Sequence, residues 1–156
     1  MIIQSFKGPH AYLSNFYVIN IHIADKVNPT HMKLWRTSEH MYMASKTTNP
    51  VVQETIRCMH TPEQAKRYAR KVQLRPNWDT YKFGLMLRIL TLKFTLNQEC
   101  HDKLLLTGDD ELIEGNYWHD NCWGDCNCSK CHQTQGQNHL GKLLMQVRNT
   151  LRSVPL

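Results

Sequence analysis

The run Trp35-Arg36-Thr37-Ser38-Glu39-His40-Met41-Tyr42-Met43-Ala44-Ser45-Lys46 carries an acid and an amine seven positions apart. Thr37 or Ser38 suits a helix N-cap, because a hydroxyl can accept a free N–H of the first turn. A helix from Ser38 to about Thr47 places Glu39, Tyr42, Met43 and Lys46 on one face, since steps of three and four residues recur at about 3.6 per turn. Glu39 falls in the first turn, where the helix dipole favours a carboxylate. A carboxyl can transfer a proton or stabilise a growing cation, and a desolvated amine can attack an electrophilic carbon. The alternative is that both are ordinary solvated helix charges.

A second chemistry-bearing stretch runs from Glu114 to Asp125. It combines Trp118 and Trp123 with Glu114, Asp120 and Asp125, His119, Asn116 and Asn121. Indoles offer flat surfaces to a base or sugar, and Asp and Asn accept hydrogen bonds from ribose hydroxyls. A packed connecting loop whose tryptophans close the core is the competing reading. Next comes Cys126-Asn127-Cys128-Ser129-Lys130-Cys131-His132, a C-x-C-x-x-C-H array. Cys126, Cys128 and Cys131 are spaced as zinc ligands, with Cys122, His119, His132 or His139 able to supply a fourth. The readings are a structural zinc or a reduced cysteine loop. Gly136-Gln137-Asn138 then opens the last helix, where free N–H groups suit a phosphate or a hydroxyl-rich ligand.

The elements that must hold these residues are legible in outline. Val18, Ile19, Ile21 and Ile23 form a β-branched run, Asp25 to Thr30 a turn, and Met32 to Trp35 a return strand, giving a hairpin that feeds the Glu39 helix. The chain is helical from Pro50. Thr61-Pro62-Glu63-Gln64 starts a helix reaching about Lys71, with Thr as N-cap and Pro at the first position. That helix carries Lys66, Arg67, Arg70 and Lys71, a solvated face or a phosphate site. Helices follow over Trp78 to Leu96, Gln98 to Leu106 with Gly108 at the left-handed cap, and about Asn138 to Arg152. Leu112 to Glu114 reads as a short strand.

With 156 residues, 41% hydrophobic and 21% charged, the chain has the size and composition of one globular domain spanning 1–156. No apolar run approaches the ~20 residues of a membrane span, so no membrane partner is expected. The N-terminus lacks the pattern of a signal peptide, which predicts a cytoplasmic protein with reduced or metal-bound cysteines. Nineteen Lys and Arg against thirteen Asp and Glu leave a net charge of +6, suited to a phosphate-bearing partner. Oligomeric state is not encoded legibly.

Several motifs together resemble the NADAR superfamily, whose characterised bacterial branch is the YbiA-like N-glycosidase of riboflavin-biosynthesis intermediates. The resemblance rests on Tyr12-Leu13-Ser14-Asn15-Phe16-Tyr17, on Trp35 with Thr37-Ser38-Glu39-His40, Ala44 and Lys46, and on Trp78. It continues through Lys93-Phe94, Leu104-Leu105-Leu106-Thr107-Gly108, Trp123-Gly124-Asp125, and Gly136 with Asn138, Leu140-Gly141 and Leu144-Met145. It implies an α+β fold, a single compact, mainly helical domain with a small N-terminal β-hairpin. It also implies hydrolysis of the C1–N bond between ribose, as the phosphate or ADP-ribose, and an amino-pyrimidine or guanine base. On matching positions it points to Glu39, Lys46 and Asp120 as catalytic, and to Asn15, Trp78, Trp123 and Asn138 as substrate-binding, with no cofactor required for catalysis. Its substrates are a phosphorylated ribosyl small molecule or ADP-ribosylated nucleic acid. Two departures stand out: Met43 where many relatives have glutamine, and the cysteine-bearing segment between Asp125 and Gly136 where the bacterial enzyme has a shorter glycine-rich loop. The other classes are an ADP-ribose- or nucleotide-binding module without catalysis and a basic, zinc-stabilised nucleic-acid binder.

Overall fold

The computed structural model describes residues 1–154. The elements in chain order are β1 (Ile2–Ile3), a 3-10 helix (Gly8–Leu13), β2 (Ile21–Ala24), β3 (Met32–Trp35), α1 (Ser38–Ala44), α2 (Pro50–Arg57) and α3 (Pro62–Ala69). They continue with α4 (Trp78–Leu96), α5 (Gln98–Leu106), β4 (Glu111–Leu112), β5 (Gly115–Asn116), β6 (Asp125–Cys126) and α6 (His139–Ser153). Helices dominate and strands are short, so the fold is α+β as expected. No helix among the described residues is long and apolar enough to cross a membrane. The chain divides into two compact units, Asn15–Ile89 and Met1–Ser14 with Leu90–Leu156, and α4 contributes residues to both.

In the Asn15–Ile89 unit, β2 and β3 form the expected antiparallel hairpin, with Ile21 opposite Trp35 and Ala24 opposite Met32. The first strand is shorter than the β-branched run suggests. Asn20 adopts a left-handed backbone (φ 47°), and both Ile19 and Asn20 donate their N–H groups to the Arg36 carbonyl. That turn breaks the ladder before Ile21. Helix α1 follows directly and packs against α2 and α3. The capping box at Thr61 and Gln64 forms as the sequence indicates. Ile56, Ala65, Ala69 and Met86 fill the core around α1, and small alanines on α3 allow a close helix approach.

Thr37, rather than Ser38, is the N-cap of α1: its hydroxyl accepts the His40 N–H at 3.2 Å. The same hydroxyl lies 2.7 Å from His40 Nδ1, and His40 Nε2 lies 2.9 Å from the Met59 carbonyl. A carbonyl can only accept, so Nε2 carries the proton and Nδ1 accepts from Thr37. The helix ends at Ala44, earlier than the expected Thr47. Arg75 explains the stop: its backbone N–H binds the Lys46 carbonyl at 2.7 Å, and its guanidinium binds the carbonyls of Ser45 and Thr47. Satisfying those carbonyls from outside removes the reason to continue the turn.

In the unit of Met1–Ser14 and the chain from Leu90, β1 pairs in parallel with β4, and β5 pairs in parallel with β6. Leu13, Leu90, Phe94, Leu104, Leu112, Leu144 and Val147 form its core. Gly108 has the expected left-handed conformation after α5 (φ 58°).

His40 is completely buried, and desolvation lowers its pKa below the ordinary 6.5, the Met59 hydrogen bond opposing and Arg36 assisting. The unfolded chain therefore binds a proton that the folded chain resists, and stability contributed by neutral His40 is lost as pH falls below about 6.5. In urea titrations, wild type should lose stability on acidification more steeply than His40→Gln; parallel profiles would contradict this role.

Candidate functional site

Helix α1 is buried on every side, from Ser38 to Ala44. Glu39 is only 6% exposed, which removes the solvated-charge reading for this residue. Its N–H donates to the Asn15 carbonyl at 3.0 Å, and the Ser38 hydroxyl donates to Asn15 Oδ1 at 2.8 Å. Asn15 Nδ2 in turn points to the Met86 sulfur at 3.6 Å. Asn15, expected at substrate, thus has Oδ1 and its backbone carbonyl holding the start of α1 while Nδ2 faces Met86 of α4, and its visible task is positioning.

Lys46 lies just beyond α1, its N–H bonded to the Met43 carbonyl in a tight final turn. Its half-buried amine sits 5.7 Å from the Tyr42 ring centre and 5.9 Å from that of Trp78. Trp78 and Tyr42 pack together at 5.3 Å between ring centres. Desolvation lowers the Lys46 pKa; Glu39 opposes, while Lys66, Lys82 and Arg70 push the same way as burial. Lys46 forms no ion pair among the described residues. Trp78, expected to stack on a base or exclude water, is 7% exposed and walls the amine. The arrangement is a partly dried amine against aromatic faces, in a field of other cations, just past the short helix that carries a buried acid. Such an amine is more often unprotonated, and so nucleophilic, than an exposed lysine.

The loop from Glu114 to Asp125 is built by its own polar side chains. Asp120 Oδ1 accepts the N–H groups of Cys122 and Trp123 at 3.1 and 2.9 Å, while Asn116 holds the Asp120 backbone from both sides. The half-buried Trp123 meets the His139 ring edge-on at 6.3 Å. Asn138, read as a ribose or phosphate ligand, instead bonds backbone: Oδ1 accepts from the Glu114 N–H and Nδ2 donates to the Leu112 carbonyl. The expectation of a free anion site at the start of α6 is also corrected. The N–H groups of Gln137, Asn138, His139 and Leu140 donate to the carbonyls of Asn121, Gly124, Cys122 and Trp123. Those donors are spent on the loop that carries Asp120 and Trp123.

Of the sequence-derived residues, Glu39, Lys46, Trp78 and Asn15 lie in the Asn15–Ile89 unit; Asp120, Trp123, Asn138 and the cysteines lie in the other. Lys93 carries no role in the sequence reading beyond its place in the motif. It is fully buried, donates to the Ser14 carbonyl at 2.8 Å, and has its pKa lowered to about 8, chiefly by desolvation, with Cys100 and Glu114 opposing. A lysine so hard to protonate costs about 3 kcal/mol at neutral pH. Its signal was present: Lys93 continues the buried stripe of Leu85, Met86, Ile89 and Leu90, where a lysine is out of place.

Residues 4–152 match the NADAR domain family. The chain belongs to that family. The N-glycosidase Npun_R5314 of Nostoc punctiforme is 36% identical over 151 residues, covering 94% of this chain and 88% of the relative. The Escherichia coli N-glycosidase YbiA is 36% identical over 121 residues, covering 76% and 72%. The riboflavin biosynthesis protein VVA0006 of Vibrio vulnificus is 33% identical, covering 92% of this chain and 36% of that longer protein. The solution structure of E. coli YbiA superposes with a TM-score of 0.77 at 31% identity, covering 97% of this chain and 84% of that one. The match of this NADAR chain to relatives named N-glycosidase supports a glycosidase role.

In this NADAR protein the Lys46 amine should titrate below 10.5 when followed by NMR of its side chain. Trp78→Ala admits water and should return the pKa toward 10.5. An unchanged value in the variant would show that aromatic burial is not the cause.

Proposed function

We propose that this NADAR domain hydrolyses the C1–N bond between ribose phosphate and the exocyclic amine of an amino-pyrimidine. The observation that carries this reading is the Lys46 amine, dried by Tyr42 and Trp78, just past the end of the helix that carries buried Glu39. Lys66, Arg70 and Lys82 act electrostatically on Lys46 and supply a positive field suited to a phosphate-bearing substrate.

Two routes fit these residues. In direct hydrolysis the C1–N bond breaks as positive charge builds on C1 and the ring oxygen and water adds to C1, with Glu39 as the proton-transfer group. In the covalent route the C1–ring-oxygen bond opens, the ring oxygen takes a proton, and C1 becomes an imine with the base nitrogen. The neutral Lys46 amine adds to C1, the base leaves as a free amine after protonation by Glu39, and a lysine Schiff base remains. Water adds to C1 and regenerates Lys46, releasing ribose phosphate as the aldehyde. The lowered Lys46 pKa favours the second route. In either route Trp78 limits water at Lys46, and Asn15 holds the backbone that presents Glu39.

A second reading has its own observation. Tyr117 is 68% and Trp118 52% exposed, and the Lys7 amine lies 5.7 Å from the Trp118 ring centre. Exposed aromatics beside a lysine suit a nucleic-acid strand, and so an ADP-ribosylated guanine within it.

Product analysis separates these readings. Purified protein is given a riboflavin-pathway ribosylamine phosphate and, separately, ADP-ribosylated guanine in DNA. Ribose 5-phosphate from the first supports the proposal, whereas ADP-ribose from the second alone favours the nucleic-acid reading. Glu39→Gln should lower turnover by roughly 10²–10⁴-fold. Borohydride during turnover should trap a sugar adduct in wild type and none in Lys46→Ala. An active wild type without any adduct excludes the covalent route, and a wild type that binds but cleaves neither substrate is a binding module.

A further inference from the structure

The C-x-C-x-x-C segment gains a fourth member from the fold. His119 Nδ1 lies 3.2 Å from Cys128 Sγ and 3.4 Å from Cys131 Sγ, and the ligating atoms of His119, Cys126, Cys128 and Cys131 all lie within 4.8 Å of one another. In a tetrahedral zinc site with Zn–S near 2.3 Å and Zn–N near 2.05 Å, ligand atoms stand roughly 3.5–3.8 Å apart. The cluster therefore closes on an ion with side-chain shifts of about an ångström or less.

Three local structures deliver the four ligands. Cys126 is fixed in β6, whose partner β5 aligns Asn116 with it, and its N–H donates to Asn121 Oδ1 at 2.9 Å. Cys128 and Cys131 are joined by a turn in which the Cys131 N–H reaches the Cys128 carbonyl at 3.1 Å. The backbone N–H groups of Lys130 and Cys131 also point at the Cys128 sulfur. Amides aimed at a thiolate offset its charge and orient it, as outer partners do in metal sites. His119 has a left-handed backbone (φ 68°), and its own N–H donates to Cys126 Sγ at 3.3 Å. The other candidates are otherwise committed: His132 Nδ1 binds the Ser129 carbonyl, and His139 Nε2 pairs with Gln137. Cys122 lies outside the cluster.

The geometry points to a structural zinc centre held by His119 Nδ1 and the sulfurs of Cys126, Cys128 and Cys131. Three thiolates and one imidazole leave no open position, so the ion staples the loop and takes no part in chemistry. The staple joins residues 119 and 131 around Asp120 and Trp123, and it is independent of what the domain hydrolyses.

The test is elemental analysis of the intact protein purified under reducing conditions, followed by cobalt replacement. Stoichiometric zinc, with a cobalt form showing the visible bands and thiolate charge transfer of a tetrahedral site, is the expected result. Cys128→Ser and His119→Ala should lose the metal and the cobalt spectrum, while Cys122→Ser and His132→Ala keep both. Chelator should lower the melting temperature of wild type without shifting that of Cys128→Ser. Should a ligand variant fail to fold, cobalt titration of wild type and of the two control variants still decides. Absence of bound zinc, bound iron instead, a Cys128–Cys131 disulfide by mass spectrometry, or equal loss in Cys122→Ser would overturn the assignment.

Discussion

Burial of Glu39 constrains everything around it. An acid removed from water costs free energy unless nearby dipoles and donors compensate. Here it occupies the first turn of α1, where the helix dipole favours negative charge. That turn is itself secured by Asn15, Thr37 and His40, so the carboxylate cannot leave without unseating the helix start. At the other end Arg75 seals the carbonyls of Ser45, Lys46 and Thr47. A helix of seven residues has little stability alone. Packing against α2 and α3, with polar contacts at both ends, holds it and fixes where Lys46 emerges.

The second unit solves a related problem with loop carbonyls. The first N–H groups around α6 are taken by residues 121–124, while Asn138, in a left-handed conformation (φ 50°), ties the helix start to the β4 region. Gly141 lets this happen: a Cβ there would collide with the Leu112 carbonyl and the Asn138 amide. The Gly-Gln-Asn-His-Leu-Gly sequence thus encodes close backbone approach rather than an open anion cradle. Its reward is a loop, carrying Asp120 and Trp123, that is held by the helix its carbonyls cap.

Most elements were legible because their start and stop signals are local. Thr61 with Pro62 and Gln64, Asn97 before α5, and Gly108 after it each act through neighbours within a few residues. What sequence reasoning missed depends on partners far along the chain. Parallel pairing of Ile2–Ile3 with Glu111–Leu112 rests on two-residue strands with no periodicity to detect. The early end of α1 needs Arg75, and the engaged α6 N–H groups need residues 121–124. At the candidate site, the choice of Glu39 and Lys46 came from helical spacing and motif resemblance. The drying of Lys46 required Trp78 from α4, and the choice of His119 among four possible ligands required the left-handed turn.

The cysteine segment shows why an exposed loop needs more than hydrogen bonds to be ordered. Between residues 117 and 135, only Gly124 and Cys126 are buried, and Tyr117 and Trp118 face solvent. Hydrophobic burial therefore contributes little there, and loop-closure entropy must be met otherwise. Asp120 lies one residue from His119, and Trp123 lies between His119 and Cys126. A cross-link joining those residues limits the backbone on both sides of the carboxylate and the indole. Hydrogen bonds from the N–H groups of Cys122 and Trp123 to Asp120 Oδ1 set the local turn, but they cannot anchor its far arm at Cys131. Metal ligation can, because each bond is strong and the tetrahedral geometry admits one arrangement of the four side chains. With the proposed zinc bound, the segment after Asp125 acts as a scaffold whose order reaches Asp120 and Trp123 through a short stretch of backbone.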